Sequence, residues 1–204
     1  MASRAVTGLF DSYDDAARAI RDLEAAGIAE DDLALVINNA EGRYTLADDR
    51  DARQGSSAGT GASVGTVLGG GAGLLAGLGM HAIPGVGPVV AAGWLAATAA
   101  GAAAGAAAGG LIGSLSGAGV STEDAHLYAE GVRRGCTLVT ARVDNGPVAS
   151  TASEILRRHH AVDPVERAKF YREGGWTGFD ERAKPFSAEE LARERNLYRE
   201  NLPL

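Results

Sequence analysis

One cysteine, Cys136, stands in 204 residues, which excludes an internal disulfide and any metal site built from several cysteines. Charge is missing from a whole region: nothing from Gln54 to Thr122 carries any, unless His81 is protonated. Basic clusters are absent too. With a net charge of -7 and no concentration of Lys and Arg, the chain lacks what phosphate neutralisation requires, and nucleic acid is excluded as a partner. The first thirty residues hold no apolar h-region, which predicts that the protein carries no secretory signal and stays inside the cell that makes it. No Gly-Lys-Ser/Thr ending follows any glycine run, so a phosphate loop is not expected.

What is present is glycine at a fixed period. Gly61, Gly65, Gly69, Gly73 and Gly77 form one run, and Gly101, Gly105, Gly109, Gly113 and Gly117 form a second. Between them lies a break at residues 81–88, His-Ala-Ile-Pro-Gly-Val-Gly-Pro. Positions four apart share one face of a helix, so each run predicts a helix with a groove free of side chains, suited to close backbone approach. These ten glycines are the expected self-association residues, and His81, Pro84, Gly85 and Pro88 the expected tip of a hairpin between the two helices.

The flanks are polar. Residues 1–53 carry six Arg against twelve Asp or Glu, and the part from Glu123 onward carries thirteen basic and fourteen acidic groups. Ala5–Phe10 reads as a strand. Ser12 then caps a helix whose apolar set Ala16, Ala19, Ile20 and Leu23 recurs until Gly27 stops it. Leu33–Ile37 follows as a second strand. Ser121-Thr-Glu-Asp124 opens an amphipathic helix closed by Gly135, and residues 136–143 have the composition of a buried strand. A helix over 148–159 comes next, and residues 161–165 are expected to be a last short strand, with Pro164 at an edge or ending it. Two strand-helix-strand units predict an α+β fold with a ferredoxin-like split βαβ head. The divisions are 1–53 for its first half, 54–120 for the glycine-zipper helical hairpin, 121–166 for the connecting helix and second half, and 167–204 for a C-terminal tail with a helix starting near Ser187.

If both halves share one sheet, the segment between them must leave and return. Arms over Ser57–Gly79 and Val89–Gly117 would be roughly 35 and 43 Å long at about 1.5 Å per residue, enough for a hydrocarbon layer of about 30 Å. Hydrophobicity is less decisive. Val64, Val67, Leu68, Leu74, Leu75 and Leu78 together contribute roughly -2 to -3.5 kcal/mol on the insertion scale, and nothing apolar from Ala96 to Gly110 is larger than alanine. Small-residue faces are how helices associate in lipid. Two locations are therefore expected: a homo-oligomer in or on the cytoplasmic membrane with its head in the cytoplasm, or a soluble cytoplasmic homo-oligomeric particle, shell or filament built by the same hairpin.

Candidate chemistry is sparse. Glu123, His126 and Glu130 fall at i, i+3 and i+7, a helical face that presents two carboxylates and an imidazole, but only one copy of the Glu-x-x-His pattern exists where di-iron bundles need two. A small metal- or ligand-binding protein is the alternative this leaves open, against a solvated helix start. His159 and His160 diverge on a helix and do not suit a shared metal. Cys136 lacks an evident base and reads as a buried inert thiol. Trp176 and Phe179 are expected to pack on the head. No catalytic residue, cofactor, metal or small-molecule substrate is expected.

The opening from Ala5 to Ile28, the Asp31-Asp-Leu-Ala-Leu-Val36 stretch, Glu123–Val139 and Gly174-Gly-Trp176 resemble the bacterial general stress (heat-induced stress) protein family, in a variant with an inserted glycine zipper. The matching residues are fold-forming rather than catalytic. The resemblance implies a stress-associated bacterial protein of poorly defined activity and offers no active-site residue; with no catalytic motif beside it, the chain is expected to be non-enzymatic.

Overall fold

A computed structural model describes residues 4–42, 79–96, 110–144 and 146–201. Eight of the ten glycines of the two runs, all but Gly113 and Gly117, lie outside those residues.

Strand β1 (Arg4–Phe10) leads into helix α1 (Tyr13–Ala25), with Ser12 at its N-cap and Gly27 (φ 89°) just past its end. A 3-10 turn at Glu30–Asp32 then delivers β2 (Leu33–Asn38). The strands β3 (Gly79–Ile83) and β4 (Gly87–Gly93) form a hairpin, and helical backbone resumes at 94–96. Helices α2 (Leu111–Gly117) and α3 (Thr122–Arg133) precede β5 (Thr137–Val143). Three more helices complete the described chain: α4 (Gly146–Arg158), α5 (Pro164–Glu173) and α6 (Ala188–Asn201).

The five strands form one sheet in the order β1-β5-β2-β4-β3, with every neighbouring pair antiparallel. β1 and β2 therefore run the same way with β5 between them. Alternation along the strands feeds two cores. Phe10, Leu33, Leu35, Ile37, Val139 and Ala141 face α1 and α4, where Ile20, Leu23, Ile155 and Leu156 meet them. Leu9, Ala34, Val36 and Leu138 face the other way, onto Leu115, Leu127, Val132 and Tyr171. Both sides of β2 are covered, which is why Leu33–Ile37 is a continuous apolar run rather than an alternating one.

Two expectations fail. Residues 161–165 are not a strand. Val162 gives one backbone hydrogen bond to the carbonyl of Leu9 (2.8 Å), and Asp163 then caps α5, its carboxylate accepting from the amides of Val165 and Glu166 with Pro164 at the first helical position. Asp-Pro is a helix-opening pair because the cap satisfies free amides while proline has none to satisfy, and here that outweighs the strand propensity of Val162 and Val165.

The second failure concerns the expected hairpin tip. His81, Pro84, Gly85 and Pro88 belong to a β-hairpin docked on the sheet, with His81 opposite Val89 and Val89–Gly93 paired with residues 34–38 of β2. An unbroken helical arm from Val89 to Gly117 is thereby excluded. Val86, Val89 and Val90 are buried, and β-branched residues suit the pleat. Gly85 (φ 75°), Gly87 (φ 99°) and Gly93 (φ 73°) adopt a left-handed backbone that a continuing α-helix cannot contain.

Candidate functional site

The most chemically dense place in the described residues lies where the C-terminal tail crosses the end of the sheet. β1 ends by placing Asp11 beside Cys136 at the start of β5. α5 supplies Arg167 and Tyr171, one helical turn apart on one face. α6 supplies Leu191, Glu194, Arg195 and Tyr198 from a single stripe. Arg167 donates from Nη1 and Nη2 to the two oxygens of Asp11, at 2.9 and 2.6 Å. Its side chain is 1% exposed against 37% for Asp11, so a wholly buried cation is met by a carboxylate half in water. Cys136 Sγ donates to Asp11 Oδ1 (3.3 Å), and Arg167 stacks 4.1 Å above the Tyr198 ring. Tyr171 and Tyr198 share a hydroxyl contact at 3.2 Å, and Tyr198 also donates to Glu194 (2.9 Å).

A second ionic knot adjoins it. Glu130, fully buried, accepts from Arg133 at 3.2 and 3.3 Å and from Arg134 Nε at 2.6 Å. Arg134 reaches on to Glu194 (3.1 Å) and covers the face of Tyr171 (4.4 Å). Each cation in the pair of knots has a carboxylate and an aromatic face, an arrangement that offsets desolvation.

The electrostatics of the cluster hold its thiol and phenols in their protonated forms. Burial first, and the Asp11 carboxylate next, push the Cys136 thiol well above its ordinary range, so it stays protonated at neutral pH. Burial likewise pushes the Tyr171 and Tyr198 phenols up. Burial would lower Arg167, but its bond to Asp11 more than restores the charge. A nucleophile needs a thiolate or a base to form one, and these groups hold their protons.

The sequence candidates scatter. Glu123 pairs with Arg172 (2.6 Å) at the exposed start of α3, while Glu130 is taken by Arg133 and Arg134, so the Glu123, His126, Glu130 face does not converge on a common point. Among the described residues no three His, Cys, Asp or Glu side chains come together as a metal site. His159 pairs with Asp22 (2.7 Å) and His160 with Asp15 (3.5 Å), two carboxylates of α1 on the other side of the sheet. Trp176 packs on the core against Tyr171, edge to face at 5.9 Å, and Phe179 packs there as well. Of the glycine runs, Gly113 and Gly117 lie in α2, whose Leu111 and Leu115 are buried, and a Cβ on Gly117 would meet nothing within 4 Å.

Sequence reasoning missed the Asp11–Arg167 pair, whose partners lie 156 positions apart. Its one local trace is an arginine in the otherwise inward-facing stripe of Ala168 and Tyr171. No family model, curated protein or solved structure matches the chain.

Proposed function

We propose that the protein is a non-enzymatic self-assembly protein, stress-associated as its family resemblance implies, in which the two glycine runs join copies of the chain. The observation that carries this is the four-residue glycine period in an uncharged segment, attached to a head whose densest cluster of ionisable groups keeps its thiol and phenols protonated. In our reading the runs form a glycine zipper, and the β1-α1-β2 unit with β5 between its strands is a ferredoxin-like half whose fourth strand has been replaced by α5.

Two locations remain in play, and a specific observation favours each. The absence of charge from 54 to 122 favours attachment to or insertion in the cytoplasmic membrane. The docking of β3 and β4 on the sheet favours a soluble homo-oligomer. With 79–93 in the sheet and α2 packed on the core, the uncharged stretch before β3 (54–78) numbers twenty-five residues and the stretch between β4 and α2 (94–110) seventeen. One crossing takes about 20 residues, so a crossing with return needs roughly 40. No described helix is long and apolar enough to cross a membrane.

The test combines Gly69→Leu with Gly105→Leu and measures particle mass in solution and flotation with membranes. Smaller particles are expected in whichever fraction the unaltered protein occupies. Unchanged assembly would refute packing through the glycine faces. Flotation of the unaltered protein that resists salt and carbonate would decide for insertion.

A further inference from the structure

No further inference is drawn: the strongest candidate, the outer edge of strand β3 (Gly79–Ile83) at the end of the sheet, carries no Lys, Arg, Asp or Glu beside its exposed Met80 and has the chemistry to accept another strand, but nothing in the structure shows what covers it.

Discussion

Asp11 and Arg167 make an asymmetric pair, and the asymmetry predicts which partner is costlier to lose. Removing one member of a buried pair typically destabilises by about 3–5 kcal/mol because the other charge is left without a counter-charge. Asp11→Ala strands the Arg167 guanidinium, whose side chain is 1% exposed. Water reaching the Asp11 side softens this, so about 2–4 kcal/mol is expected. Arg167→Met removes the buried charge itself and leaves Asp11, 37% exposed, to be hydrated. It forfeits the stack on Tyr198, a contact of about 0.5–2 kcal/mol, but a thioether over the same ring recovers part of that. The net expectation is about 1–2 kcal/mol. In the double variant no cation is stranded, so its cost must fall below the sum of the single ones by about 1–3 kcal/mol. Urea unfolding monitored by tryptophan fluorescence, read as a shift in midpoint at constant slope, measures all three. If Arg167→Met cost as much as Asp11→Ala, or the two costs simply added, the stranded-charge argument would be wrong.

Gly93→Ala should cost about 1–3 kcal/mol from its left-handed φ alone, and its Cβ would also run into the Leu33 carbonyl oxygen, so loss of protection in β4 by amide exchange is expected. Cys136 should resist an aromatic disulfide reagent at pH 8 in the folded protein and react only as fast as the chain opens; prompt stoichiometric labelling would contradict its burial. Asp22 is held below its ordinary 3.8 by its hydrogen bond from His159, against opposition from burial. A carboxyl depressed in the folded state stabilises above the unfolded value and loses that contribution as pH falls through the folded one. Asp22→Asn should therefore flatten the acid limb of the stability curve below about pH 4, and an unchanged acid limb by urea titration would dispose of that contact.

Most of the head was legible because its signals are local. Ser12, the period of Ala16, Ala19, Ile20 and Leu23, and the stop at Gly27 delimit α1 without reference to anything distant. The same holds for Ser121 and Gly135 around α3, where the Ser121 hydroxyl does accept from the amide of Asp124 (3.1 Å). What failed did so where two local signals compete. Val162 and Val165 favour a strand while Asp163 and Pro164 favour a helix start, and the cap decides because it satisfies amides a strand would have to satisfy elsewhere. The Asp11–Arg167 pair was illegible for another reason: nothing local to either residue shows that they meet across 156 positions or that Tyr198 returns to cover the arginine.

The hairpin shows why a glycine period alone cannot separate two uses of the residue. Gly85 and Gly93 fall on the same four-residue lattice as Gly61 through Gly77 and Gly101 through Gly117. Yet both have positive φ, and each is hemmed in by backbone: Gly85 by residues 180 and 181, Gly93 by residues 33 and 34. Their glycine is demanded by turn and close approach, not by a helix face. The discriminating signal is in the other lattice positions. At 81 and 89 the lattice holds His and Val rather than a small residue, so a helix running through 77–101 would have its groove filled twice along one face. Val89 is instead buried in the sheet, opposite His81. A small-residue face must be continuous to admit a second backbone, and this one is interrupted where the chain turns back onto the head. The two runs are thus set apart by strands of the sheet rather than joined by one helix.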